Sequence, residues 1–208
     1  MSDSYFCIPP FTDLMKLSLD LEYQTPQAWT EAVMNDFDSF LQDHADCERK
    51  ASSMAMSFVA KCPDKIKIIP LLIETAVEEL DHFQQVYKIM EQRGIQLQAE
   101  MKPDVYIKQL LDCSRSSPQE RLLDRFLMAS IIECRGTERF KLVAEALEDV
   151  ELKKFYKMLW TIEAKHGNIF IEMALEYYPE DEVNHRLKEL NQAEARICAS
   201  LPVRAALH

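Results

Sequence analysis

Apolar residues recur at spacings of three, four and seven along most of the chain, the period of helices with one inward face. No segment carries a convincing strand pattern. Pro9 and Pro10 open a short amphipathic stretch from Phe11 to Leu21. Thr25-Pro26 reads as a helix start, with Thr as the cap and Pro in the first position. A long helix is predicted over about 27–61, with a break near Asn35-Asp36, ending at the turn Cys62-Pro63-Asp64. The next runs from about Lys65 to Arg93, begins irregularly because of Pro70, and stops at Gly94.

Residues 94 to about 117 lose the long amphipathic pattern and hold one short helical piece, Val105 to Cys113. Ser117-Pro118-Gln119-Glu120 is a capped helix start. A third long helix reaches about Leu147, and a fourth runs from about Asp149 to Tyr178, before Pro179. A last, polar helix over about 180–200 is expected to pack outside. The predicted fold is all-α: a ferritin-like four-helix bundle with a long crossover between helices 2 and 3 and extra flanking helices. Residues 1–208 are expected to form a single domain, with the four-helix core at about 27–178.

Composition supports this reading. Three glycines in 208 residues, with 48% hydrophobic and 28% charged residues, favour a compact helical protein. No apolar run reaches membrane-spanning length, and the start Met1-Ser2-Asp3-Ser4 does not resemble a signal peptide, so a cytoplasmic location is expected. The cysteines Cys7, Cys47, Cys62, Cys113, Cys134 and Cys198 form no Cys-x-x-Cys pair, which disfavours a rubredoxin-type iron centre or zinc ribbon. A net charge of −11 argues against a broad nucleic-acid footprint. It leaves room for local basic patches at Lys61, Lys65 and Lys67, or at Lys153, Lys154 and Lys157, although ordinary solvated faces are the favoured explanation.

Two Glu-x-x-His motifs carry the candidate chemistry: Glu79-Leu80-Asp81-His82 and Glu163-Ala164-Lys165-His166. Each follows a lone helical Glu, with 31 residues from Glu48 to Glu79 and 30 from Glu133 to Glu163. On a helix, residues three apart share a face. Thirty residues is about the length needed to run up one helix and back down the next. Glu48, Glu79, His82, Glu133, Glu163 and His166 can therefore meet at one depth in a bundle, as the ligands of a di-iron or di-manganese site. Their flanks are apolar, and four converging buried carboxylates are costly unless cations bind them. Oxygen and imidazole donors without thiolate suit iron or manganese over structural zinc. Glu79 and Glu163 are the expected bridging ligands, with Glu48 and Glu133 terminal.

Glu182-Val183-Asn184-His185 fits the same pattern, with Glu151 31 residues upstream, but its polar surroundings mark a solvated helix. Cys47 and Cys134 adjoin candidate ligands, yet adjacent helical residues point about 100° apart. Thr137 lies one turn after Glu133, where its hydroxyl could handle oxygen or protons; bonding its own i−4 carbonyl is the equal alternative. Tyr87 and Tyr156 are redox candidates, with core or surface packing the simpler explanation.

The pieces around the ligands go further. Thr25-Pro26 followed by Trp29, Asp43-His44-Ala45-Asp46-Cys47-Glu48-Arg49-Lys50-Ala51, Glu78-Glu79-Leu80-Asp81-His82-Phe83, Arg93-Gly94-Ile95, Ile132-Glu133-Cys134-Arg135, Glu138-Arg139-Phe140 and Glu163-Ala164-Lys165-His166 together resemble the MiaE family, the tRNA-(2-methylthio-N6-isopentenyladenosine) hydroxylases. The resemblance spans about residues 21–178. It departs at Asp81 and Lys165, where the family pattern has Arg, and at Gly136-Thr137, where it has Ser-Cys. It implies an O2-dependent di-iron monooxygenase, with iron preferred to manganese, that hydroxylates an isopentenyl side chain beside the tRNA anticodon. The six ligands carry over onto Glu48, Glu79, His82, Glu133, Glu163 and His166. A separate reductase is implied, since no flavin or ferredoxin motif is present. The alternatives are a di-iron oxygenase acting on a free lipid or aldehyde, and a non-catalytic iron-storage or peroxide-scavenging protein.

Overall fold

The computed structural model describes residues 19–98 and 104–208; most of the Phe11–Leu21 stretch lies outside them. Seven helices are found among the described residues: α1 (Gln27–Asn35), α2 (Phe37–Lys61), α3 (Ile69–Gln92), α4 (Val105–Asp112), α5 (Pro118–Ala146), α6 (Val150–Leu175) and α7 (Glu180–Ser200). The expected all-α class holds, with a ferritin-like core of α2, α3, α5 and α6. Two antiparallel pairs, α2 with α3 and α5 with α6, make the close backbone contacts. No comparably close backbone contact joins one pair to the other, so side chains fill the seam between them.

The breaks have local causes. Asp36 ends α1 and caps α2, its carboxylate accepting from Ser39 N–H at 3.3 Å. Gly94, at φ 70°, closes α3: Ile95 N–H reaches the Met90 carbonyl at 2.9 Å and Gly94 N–H that of Glu91 at 3.1 Å. Ser117 caps α5 and is bonded in turn by Glu120.

Three boundaries differ from the sequence expectation. The α3 helix starts at Ile69, not Lys65, because Pro70 lacks the N–H that a helix begun earlier would use. The α6 helix stops at Leu175, not Tyr178; Tyr177 and Tyr178 N–H both turn to the Ala174 carbonyl, at 3.0 and 2.9 Å. Thr25 does not cap α1. Its N–H and hydroxyl donate to the two carboxylate oxygens of Glu138, at 2.9 and 2.7 Å, pinning the chain's approach onto α5.

The α7 helix lies outside the core, as expected, but its inner face is anchored by a buried charge pair. Arg135 on α5 and Glu194 on α7 are both fully buried and meet through two bonds, of 2.8 and 3.0 Å. Tyr106 of α4 donates to the same Glu194 at 3.2 Å, so α4, α5 and α7 share one polar knot. The segment after α7 folds back: Trp29 donates to the Ala206 carbonyl at 3.0 Å, and Leu207 N–H donates to Asp43 at 2.7 Å. Among the described residues, no helix is long and apolar enough to cross a membrane.

Candidate metal centre

Heptad spacing sets the depth of the centre. The residues seven before and seven after each key glutamate are buried: Leu41 and Ala55 around Glu48, Leu72 and Val86 around Glu79, Phe126 and Phe140 around Glu133, Tyr156 and Phe170 around Glu163. Each glutamate is thus carried on the stripe that faces the core. One apolar cluster gathers around Phe58, Phe126 and Phe170, another around Trp29, Phe40 and Phe140, and the carboxylates lie between.

The structure brings the six expected residues together. Glu48, Glu79, His82 and Glu163 offer one ligand atom each within 4.8 Å of one another, and so do Glu79, Glu133, Glu163 and His166. Glu79 and Glu163 belong to both groups. His82 Nδ1 lies 2.7 Å from Glu163 Oε1, and His166 Nδ1 lies 2.7 Å from Glu163 Oε2 and 2.9 Å from Glu79 Oε1. Despite these distances, both Nδ1 atoms, Glu79 Oε1 and both Glu163 oxygens lack a hydrogen-bond partner. Close approach without hydrogen-bond alignment means that lone pairs converge. Left so, each orphaned atom carries a desolvation penalty of about 1–3 kcal/mol or more. Two cations would satisfy all of them, so the donor set fits a metal pair, and its oxygen and imidazole chemistry suits iron.

The electrostatics agree. Burial, then the charges of Glu79 and Glu163, push Glu48 and Glu133 well above the usual carboxylate range. Burial opposes charge on the imidazoles too, but Glu163 and Glu79 outweigh it, raising His82 to about 10 and His166 to about 12. Burial also works against Glu79, but His166 and His82 bring it down to about 2. Without cations, protons take their place.

Outer partners orient these donors. His166 Nε2 lies 2.7 Å from Glu78, which leaves Nδ1 for the centre. Glu48 is held by His44, whose Nε2 lies 2.6 Å from Oε1, and His44 Nδ1 is 3.1 Å from the Tyr156 hydroxyl. With a cation bound, an ionised Glu48 could only accept, so Nε2 would carry the proton and Nδ1 would accept from Tyr156. Burial, followed by repulsion from His82, lowers His44 to about 3, keeping it neutral. The sequence reading did not assign Glu78 or His44 a role; each adjoined or preceded a motif, which was the available signal. Gly167 lets α5 close on α6 beside His166, since a Cβ there would sit 2.6 Å from Cys134 Sγ.

A cavity of about 300 Å³ opens onto the centre. Ala51, Met54, Phe58, Met128 and Ile132 make its apolar wall, Glu48, Glu79, Glu133 and Glu163 its polar end. Asp104, Ile107 and Leu111 from the α4 region, with Leu207 and His208, cover its flank.

Other candidates fall elsewhere. The Thr137 hydroxyl donates to the Glu133 carbonyl at 2.8 Å, the i−4 bond that was the equal alternative to oxygen or proton handling, and Gly136, not Thr137, lines the cavity. Tyr87 is exposed and stacks on Phe83. His185 is an exposed surface residue, 3.4 Å from Glu189. Cys47 lines the cavity without joining either ligand group. Lys65 lies over the Tyr177 ring and Lys67 pairs with Glu176 at 2.7 Å, so the first lysine patch is largely taken up.

The profile of one protein family, described as tRNA-(MS[2]IO[6]A)-hydroxylase (MiaE), matches residues 13–208. The chain belongs to the MiaE family. Two tRNA 2-(methylsulfanyl)-N(6)-isopentenyladenosine(37) hydroxylases are similar to it. That of Pseudomonas putida strain KT2440 is 32% identical, over 85% of each chain. That of Salmonella typhimurium strain LT2 is 25% identical, over 86% of this chain and 84% of the relative. A solved structure, protein 43 with aldehyde deformylating oxygenase activity from Synechococcus, aligns at a TM-score of 0.85 and 31% identity over 90% of this chain and 94% of its own.

Proposed function

We propose that this chain is an O2-dependent di-iron monooxygenase that hydroxylates the isopentenyl side chain of 2-methylthio-N6-isopentenyladenosine in tRNA, next to the anticodon. The observation that carries it is the pair of ligand groups sharing Glu79 and Glu163 at the end of an apolar cavity, in a MiaE-family chain. Glu48 and His82, Glu133 and His166, and the Glu79 and Glu163 shared by both groups would hold the iron pair. A reduced iron pair supplies the chemistry that activates O2. Overall, one oxygen atom enters a substrate C–H bond, and the other leaves as water with two electrons and two protons. Met54, Phe58, Met128 and Ile132 hold the isopentenyl group and exclude water. His44 and Glu78 keep Glu48 and His166 aimed. Thr137, tied to the Glu133 carbonyl, is left out. The electrons come from a separate reductase, and a tRNA substrate goes with a cytoplasmic location.

The test uses iron-loaded protein, reductant, O2 and tRNA from a hydroxylation-deficient strain. Nucleoside mass spectrometry should show one added oxygen, and Glu79→Ala with His166→Ala should lose both product and the expected iron content of about two per chain. Full iron loading with no added oxygen rejects this substrate. A second reading, oxygenation of a free aldehyde, is favoured by the apolar wall and by the Synechococcus relative. Formate released from an added long-chain aldehyde, with the nucleoside unchanged, would establish it instead.

A further inference from the structure

We infer that Arg125 recognises a phosphodiester of the RNA chain, so that the anticodon loop lies over the first turns of α5 and the neighbouring face of α4. This rests on the tRNA reading above. Two cationic side chains line the cavity, Lys50 and Arg125. Lys50 is neutralised by Asp46 at 2.5 Å. Arg125 has no carboxylate, carbonyl or ring partner among the described residues, although it is half-buried in the cavity wall. Its neighbour Asp124 is committed elsewhere, at 2.8 Å to both Arg115 and Arg186. A guanidinium cannot shed its charge, and a partly desolvated charge without a counterion is costly. Such a group is satisfied when an anion arrives from outside.

The position suits a nucleotide entering side chain first. Arg125 precedes Glu133 by eight residues on α5, about 12 Å along the helix. Met128, Ala129 and Ile132 line the wall between them. With the isopentenyl group at the metal end, the purine lies along this wall and its phosphate comes level with Arg125. A phosphate offers two oxygens to the guanidinium fork, a bidentate fit that a lysine cannot make. Arg121, one turn earlier on the same face, is exposed and bonds only the Arg115 and Ser116 carbonyls, so no carboxylate neutralises it. Lys108 stands exposed on α4 beside Ile107 of the cavity wall, with no ion-pair partner among the described residues. In a chain of net charge −11, phosphate contact has to be local, and these cations provide it at the cavity.

The test compares KM for the modified nucleoside with KM for its 5′- and 3′-monophosphates, using iron-loaded enzyme. For at least one monophosphate, the unaltered enzyme should show a KM lower by about tenfold or more. Arg125→Ala should erase that gap, and Arg125→Lys should keep part of it. In metal-free protein, binding of anticodon stem-loop RNA followed by anisotropy should lose about one from its salt slope on Arg125→Ala. Arg125→Gln serves the same comparisons if melting shows that the alanine variant is unfolded. A gap that survives loss of the guanidinium, a salt slope that does not move, or an equal loss for nucleoside and monophosphate overturns the assignment; the last would mean contact with the base. An unaltered enzyme that adds no oxygen to tRNA fells the proposed function, and this inference with it. A working enzyme whose phosphate preference ignores Arg125 fells this inference alone.

Discussion

His44 and Glu78 stand behind the ligands, and their removal should be felt in metal binding before chemistry. His44→Ala leaves Glu48 without its 2.6 Å donor. Losing a side chain that orients a metal ligand weakens metal affinity by about 10- to 100-fold. Calorimetric titration of the metal-free protein with Co2+ should show this at one of two sites, the other changing little. A pH effect follows from the protons that compete with cations for the centre. His82 is raised to about 10 and His166 to about 12, and Glu48 and Glu133 are raised as well. At neutral pH His82 and His166 hold protons that incoming cations expel. Affinity should therefore strengthen as pH rises, about tenfold per unit for each proton displaced. Titration from about pH 6 to about pH 8, in buffers of different ionisation heat, would read both the slope and the proton count. The convergence of the six side chains was legible in the sequence because each glutamate sits in an apolar heptad stripe and each histidine three residues beyond a glutamate. Their outer partners were not. Glu78 stands 88 residues from His166, and Tyr156 stands 112 from His44. Polar residues so far apart in the chain meet only through packing, which has no one-dimensional signature.

At the scale of elements, capping chemistry and prolines gave most boundaries correctly, and the misses share a cause. Thr25 and Tyr178 were placed by local propensity, but tertiary partners claim them: Glu138 for Thr25, and the Gln119 carbonyl at 2.9 Å for the Tyr178 hydroxyl. The α7 helix looked polar and peripheral because its anchor, Glu194, is itself charged. Arg135 and Glu194 make a buried pair whose halves are 59 residues apart. Without Glu194, Arg135 keeps Glu138 and the Tyr23 carbonyl as partners, so the loss should fall at the low end for a broken buried pair, about 3 kcal/mol. Glu194→Ala should lower the denaturation midpoint accordingly, and hydrogen exchange should rise first in α4 and α7, which the carboxylate ties to α5.

For the whole molecule, the seam between the two helix pairs is the defining feature. The α2–α3 pair contributes Glu48, Glu79 and His82; the α5–α6 pair contributes Glu133, Glu163 and His166. Each ligand group draws on both pairs, so bound cations clamp one pair to the other where backbone contact is sparse. Metal loading should raise the melting temperature, since a ligand that binds only the folded state stabilises it by mass action. Hydrogen exchange with and without chelator should show the loss of protection concentrated on the cavity faces of α2 and α5, with α7 little affected. Uniform loss across all helices would mean that the cations do not act as a clamp.

That clamp ties the survival of the polypeptide to its nutrition. A cell starved of iron would hold copies whose halves breathe apart more often, exposing the seam to proteases. Scarcity would then thin the pool of enzyme as well as idle it, and limited proteolysis of metal-free and loaded protein would measure the difference.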